Sequence, residues 1–340
     1  MMKHRSRTTQ AGPDAARRQP GQINRRQVIV GMAATAPFAG QSIAAPEQTW
    51  LHDFDVPQGA CDTHVHVIGD PHLFPMAADR TYTPPPATAT ALGKMLHEHH
   101  LSRAVIVAAA VYDGANDAMI DAIRQLGQSR TRGIAWLPKD RSEASLAAMK
   151  AAGITGFRVL LDTTGKTNGA ALRAQFQARF AIAARWGWHL DIATPPEMIA
   201  ACLAQLASSP VPLVLDTFGW IQGGLGQLGV DAVLSLLKSG VAYVKLSEPY
   251  RLSDNAPGYP ELKPVVDALI AANPDRILWG SGWPFVSGPM PGRPVAEITP
   301  NLPTDTGKLL SLFGAWVPDD GMRRKILVEN PVRLYGFEDA

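Results

Sequence analysis

Residues 60–68 read Ala60-Cys61-Asp62-Thr63-His64-Val65-His66-Val67-Ile68. This is a short apolar run with the length and composition of a buried strand. Side chains two apart on a strand face the same way. His64 and His66 therefore share a face, and Asp62 is expected on that face one layer deeper. Two imidazoles side by side can hold a divalent metal or an anion; the bland alternative is a pair of polar residues that fill a core.

Seven similar runs follow, at 103–110, 132–137, 153–161, 188–193, 211–217, 241–246 and 276–281. Helical patterns alternate with them: Thr90–His99, Ala115–Leu126, Glu143–Ala152, Ala170–Arg185, Pro196–Ala207, Gly229–Lys238 and Leu262–Ala272. Eight strand–helix units over roughly 280 residues predict a parallel sheet closed into a (β/α)8 TIM barrel. A doubly wound sheet is the alternative, but no G-x-G-x-x-G follows the first strand, so a dinucleotide site has no support. The long stretch from Gly69 through Pro84–Pro86 reads as a first loop.

The 340 residues are 46% apolar and 18% charged, an ordinary globular balance. The first 44 residues differ. They carry a basic, polar start, then Arg25-Arg26 ahead of a weakly apolar run that ends in Ser42-Ile43-Ala44. That is the twin-arginine export pattern, with cleavage expected after Ala44. It predicts a signal at 1–44, an extension at 45–59, a barrel at 60–340, the export machinery as a partner and a periplasmic location. Gly31 and Pro37 break the apolar run, which speaks against stable membrane insertion of the mature protein. The signal holds seven Lys/Arg and one acid, so the mature part has 25 basic and 29 acidic residues, a net charge of −4. No nucleic-acid footprint is expected. Cys61 and Cys202 are read as two thiols without metal-type spacing.

The barrel's last strand leads into Trp279-Gly280-Ser281-Gly282-Trp283-Pro284, and Asn330-Pro331-Val332-Arg333-Leu334-Tyr335 lies near the C-terminus. With Asp62-Thr63-His64-Val65-His66, these motifs resemble the amidohydrolase-related family, most of all its 2-pyrone-4,6-dicarboxylate lactonase and sugar lactonase branch. Arg80-Thr81-Tyr82-Thr83-Pro84, Arg132-Gly133, Gly156-Phe157-Arg158 and Gly187-Trp188-His189 extend the likeness over residues 60–338.

The resemblance implies hydrolysis of a small carboxylated lactone or a related ester. It implies a carboxylate base at the end of strand eight, a polarising His after strand six, a Tyr on strand five and arginines that hold substrate carboxylates. The chain departs from this pattern. Gly282, Thr217 and Ala193 stand where the base, the His and the Tyr would fall, and Thr164 stands where a second Arg would fall. His64, His66 and Asp191 remain as catalytic candidates, with Asp191 and Asp62 as substitute carboxylates or as members of a buried salt-bridge network with Lys245. Arg158, Arg251, Lys245 and Tyr112 are the candidates for binding an anionic small molecule. Asp216 is expected to point outward unless the strand end twists. No cofactor is implied for the pyrone-lactonase branch. A single divalent ion, Zn or Mn, would have His64 and His66 as its visible ligands. The opposing reading is a catalytically inactive barrel that binds an anion in the periplasm.

Overall fold

The computed structural model describes residues 54–138, 140–160 and 169–338. The signal and most of the extension therefore lie outside the described residues, as does Thr164. Eight strands run in sequence order around one parallel sheet. They are β1 Cys61–Val65, β2 Arg103–Val107, β3 Thr131–Trp136, β4 Ile154–Leu160, β5 His189–Ala193, β6 Leu213–Leu215, β7 Ala242–Ser247 and β8 Ile277–Gly280. Closure comes from beyond β8: the Gly282 N–H donates to the His64 carbonyl and the His66 N–H to the Trp283 carbonyl, both at 2.8 Å.

The helices between the strands are α1 Ala89–Glu98, α2 Asp117–Leu126, α3 Glu143–Ala151, α4 Gly169–Trp186, α5 Pro196–Ala201, α6 Leu203–Ala207, α7 Val230–Lys238 and α8 Lys263–Ala272. The single helix expected at 196–207 is broken at Cys202, whose ψ of 9° ends one helix and begins the next. Three α-helices follow β8 among the described residues: α9 Thr306–Trp316, α10 Asp320–Arg324 and α11 Asn330–Tyr335, the last two joined by a π-helical turn, Lys325–Glu329. Asn330 ties α11 to the barrel by donating to the carbonyls of Pro274 and Ile277. Among the described residues no helix is long and apolar enough to cross a membrane.

Two apolar layers build the core. Strand residues such as Ala104, Ile106, Leu190 and Leu213 pack outward on the helices. Cys61, Val105, Val107, Ile134, Val214, Tyr243 and Leu278 face inward and meet Tyr335 and Phe337, which plug the barrel's floor. Cys61 and Cys202 are both buried and form no disulfide with each other.

Two local departures position the mouth. The pairing of β1 with β2 shifts register between Asp62 and Val65. β6 stops at Leu215, and Thr217, Phe218, Gly219 and Trp220 then take positive φ values of 50–63°. This left-handed run twists the strand end. Left-handed backbone is costly for a β-branched or bulky residue.

Candidate functional site

The C-terminal ends of the strands converge on a cavity of about 170 Å³. Its wall comprises His66, Ile68, Tyr82, Ala109, Ala110, Arg158, Trp220, Glu248, Arg251 and Val286. A larger open groove, about 710 Å³, lies elsewhere, at the C-terminal end of α1, and includes His97 and His100. None of its lining residues comes from a C-terminal strand end, which is where barrel chemistry sits.

His64 and His66 stand together with ring centroids 5.1 Å apart at 89°. His66 Nδ1 lies 2.8 Å from the Val107 carbonyl. A carbonyl only accepts, so Nδ1 carries the proton and Nε2 presents a lone pair. Burial, helped by the charges of His64 and Arg158, lowers the His66 pKa to about 3, so the ring is neutral. His64 is fully buried; its Nδ1 is 3.3 Å from Asp216 Oδ1 and its Nε2 is 3.6 Å from Glu248 Oε2.

Glu248 is the carboxylate that sequence reasoning missed. It follows β7 directly, with a left-handed φ of 54°. Oε1 accepts from Arg251 Nε at 2.5 Å, and Oε2 accepts from Thr217 Oγ1 at 3.1 Å. Burial alone would raise its pKa, but the Arg251 guanidinium overrides that and brings it down to about 2. Two signals could have found it: its place at a C-terminal strand end, and its position three residues before Arg251 in Ser247-Glu248-Pro249-Tyr250-Arg251.

Below the cavity, Lys245 is fully buried between two carboxylates, 2.5 Å from Asp191 Oδ2 and 3.0 Å from Asp216 Oδ1. Burial pushes Asp191 well above the usual carboxylate range, and the neighbouring Asp216 adds to the push. Asp216 goes the other way: burial would raise it, but Lys245, His64 and Arg158 hold it well below that range. The outward orientation expected for Asp216 is thus corrected. Its side chain is 1% exposed and faces the barrel centre because Asp216 is still extended, its N–H donating to the Ile192 carbonyl, and alternation from the inward Val214 puts it on the same face.

The other candidates fall in different places. Arg158 donates to the Ala108 carbonyl at 2.8 Å and approaches Asp216 Oδ2 at 3.8 Å. Its buried Nε, like Trp220 Nε1, has no hydrogen-bond partner among the described residues. Arg251 also donates to the Val286 carbonyl. Arg158 and Arg251 line the cavity, whereas Lys245 and Asp191 do not. Tyr112 sits beside Ile68, Ala87 and Val111, with its hydroxyl accepting from the Gly69 N–H. Asp62 is not a free base below His64: its Oδ1 accepts from the backbone N–H groups of His64 and Ser281, clamping β1 to the β8 exit. Burial nevertheless raises it to about 6. Ala193 is buried and Thr217 serves as the hydroxyl partner of Glu248.

His64, His66 and Glu248 each offer one atom, all within 4.8 Å of one another. Three convergent donors, two nitrogens and one oxygen, match the number of protein ligands at a catalytic divalent-metal site. The oxygen acceptors behind both Nδ1 atoms match the usual support of a ligating histidine. The donor set therefore fits a single divalent ion.

Comparison with known proteins adds the lineage. The amidohydrolase family matches residues 61–337. A 4-sulfomuconolactone hydrolase from Rhizobium radiobacter is 30% identical over 285 residues, covering 83% of this chain and 92% of that protein. A 2-pyrone-4,6-dicarboxylate hydrolase from Comamonas testosteroni is 28% identical, covering 84% and 93%. Among solved structures, a probable 2-pyrone-4,6-dicarboxylic acid hydrolase from Acinetobacter baumannii with citric acid bound superposes with a TM-score of 0.68 at 25% identity, covering 82% of this chain and all of that one.

Proposed function

This chain belongs to the amidohydrolase family, and on that premise we propose that it is a hydrolase that opens small carboxylated lactones. One observation carries the reading: the cavity wall sets the guanidinium groups of Arg158 and Arg251 around His66 and Glu248. Guanidinium groups bind carboxylates in planar, charge-assisted pairs. The relatives act on lactones that bear sulfonate or carboxylate groups, by their names.

In the reaction, Arg158 and Arg251 orient the substrate's anionic group. Water adds to the ring carbonyl, the ring C–O bond breaks, and the proton from water ends on the departing ring oxygen. The product is a carboxylic acid, which ionises by releasing water's second proton to solvent, with a free hydroxyl or its keto tautomer. Where no ion is held there, His66, neutral with Nδ1 anchored, accepts from the water through Nε2. His64 is fixed by Asp216 and, through it, by Lys245. A divalent ion held by His64, His66 and Glu248 would polarise the carbonyl or acidify water.

The test is turnover of a panel of carboxylated lactones by protein purified without chelators, with and without Zn²⁺ or Mn²⁺. Products are identified, because a D-galactarolactone isomerase is also a relative, at 25% identity. Ring-opened product supports the reading. An isomerised lactone, or thermal stabilisation by the lactone with no product, contradicts it, the latter favouring the anion-binding barrel.

The reading includes action in the periplasm, motivated by Arg25-Arg26. Replacing both with lysine should leave the protein in the cytoplasmic fraction; unchanged periplasmic recovery would sink that part.

A further inference from the structure

Residue 282 is a glycine, and the space its side chain would need is already filled. A Cβ built there would lie 2.4 Å from Glu248 Cγ and 2.2 Å from Tyr250 Oη. Real Cβ atoms do not approach so closely. Positions 248 and 282, at the ends of β7 and β8, both have left-handed backbone, with φ of 54° and 78°. Such positions favour glycine. Here one carries glycine and the other carries glutamate, and that glutamate's side chain lies where the partner position's would go. Tyr250 closes the arrangement: its hydroxyl donates to the Gly282 carbonyl at 3.3 Å and lies 3.4 Å from Glu248 Oε1.

The remaining buried carboxylates nearby are committed elsewhere. Asp62 holds two backbone N–H groups, and Asp191 and Asp216 hold Lys245. Among the described residues, Glu248 is the carboxylate in the cavity wall. Its Oε2 faces His64 Nε2 and the Thr217 hydroxyl, while Oε1 is held by Arg251. The grip from both sides fixes the carboxylate against the neighbouring histidines.

We propose that Glu248 takes the proton of the attacking water, and that it does so from the slot a side chain at 282 would occupy: the catalytic carboxylate of this barrel is delivered by β7 into the place open to β8. The inference rests on the hydrolase reading above. In the step, a water O–H bond breaks as the water oxygen bonds to the carbonyl carbon. The proton passes to Glu248 and then to the ring oxygen as the C–O bond opens. Lactone and water are consumed, and no other reactant is needed.

Four variants test it: Glu248→Gln, Glu248→Gly, Gly282→Asp, and Glu248→Gly combined with Gly282→Asp. Each is read by lactone turnover and by thermal denaturation. Loss of a general base lowers rate by about 10²–10⁴-fold, so Glu248→Gln and Glu248→Gly should fall by that much. Glu248→Gln gives up the charge that pairs with Arg251, so its melting temperature should also fall, and its rate is read well below that temperature. Gly282→Asp alone should lower the melting temperature by about 4 °C or more. In the Glu248→Gly background the same change should cost less, since the contacts with Glu248 are gone while that with Tyr250 Oη remains, and the double variant should turn over at least about tenfold faster than Glu248→Gly. A Glu248→Gln protein within about threefold of the parent rate overturns the catalytic assignment. Equal destabilisation by Gly282→Asp in both backgrounds overturns the shared slot, and so does a double variant no faster than Glu248→Gly. The melting data need no substrate, so failure of the hydrolase reading, seen as a parent protein with no turnover, stays distinguishable from failure of the slot.

Discussion

The two ends of the barrel bury histidine in opposite ways. At the floor, His189 lies edge-on to Tyr335, ring centroids 5.3 Å apart, among apolar neighbours. It is packed so closely that a Cβ on Gly156 would sit 2.7 Å from its Nε2. At the mouth, His64 and His66 face carboxylates, guanidinium groups and a cavity. The backbone follows the same division. Among the described residues, five of the eight non-glycine residues with positive φ (Thr217, Phe218, Trp220, Glu248 and Phe285) lie just after β6, β7 and β8. Strained backbone is kept where its surroundings over-determine it, often at functional sites. The floor is arranged for packing and the mouth for aiming side chains.

That comparison can be broken or sharpened by substitution. The largest stability effect is expected between the two ends. Lys245→Met would leave the buried Asp191 and Asp216 without their shared cation, and removing one partner of a buried pair costs about 3–5 kcal/mol. Urea denaturation should show it; a loss below about 1 kcal/mol would mean the charges are not held as described.

Arg158→Ala and Arg251→Ala should instead weaken anion recognition. A hydrogen bond to a charged group contributes about 1.5–3 kcal/mol, so each should raise KM for a carboxylated lactone about 10–100-fold. Arg251→Ala also releases Glu248, so its kcat should fall as well, whereas Arg158→Ala should act mainly on KM. Unchanged KM in both would place the anion elsewhere.

At the floor, Gly156→Ala should cost about 1–3 kcal/mol by overpacking against His189 while leaving KM unaltered. A shift in KM larger than that in stability would erase the division between the ends.

The smallest effect concerns pH. Burial, reinforced by the charge of Lys245, lowers His189 to about 3, against about 6.5 for an unfolded histidine. The unfolded chain therefore takes up a proton below about pH 6.5 that the folded chain refuses until about pH 3. The stability contributed by the neutral ring is complete above pH 6.5 and is lost as the pH falls toward 3. His189→Gln should flatten this part of the stability–pH curve; an unchanged slope would argue against a neutral buried ring.

Most of the barrel was legible in the sequence because each strand is a compact apolar run and each helix carries its own period. The failures are local and physical. The run expected at 211–217 shrinks to Leu213–Leu215, since Thr217, Phe218 and Trp220 adopt a left-handed turn that their side chains do not advertise. Asp216 was misplaced for another reason: it is still extended and shares the inward face of Val214, two residues before it. The site was half legible: His64, His66, Arg158 and Arg251 stand out by spacing and motif, and all but the deeper His64 line the cavity. Glu248 did not stand out. A glutamate before a proline in a loop reads as solvated charge, and its role depends on the contact with position 282, 34 residues away in the chain. Asp191 was a reasonable candidate on strand alternation, but alternation gives a face and not a depth, and its carboxylate is held by Lys245 below the cavity.

The most direct measurement is lactone hydrolysis in ¹⁸O-labelled water, followed by mass spectrometry of the product, for the parent protein and for Glu248→Gln side by side. The account predicts one ¹⁸O in the newly formed carboxylate of the parent's product, and formation of that product about 100-fold or more slower in the variant. Product without label, or label gained at equal rates by both proteins, would contradict it.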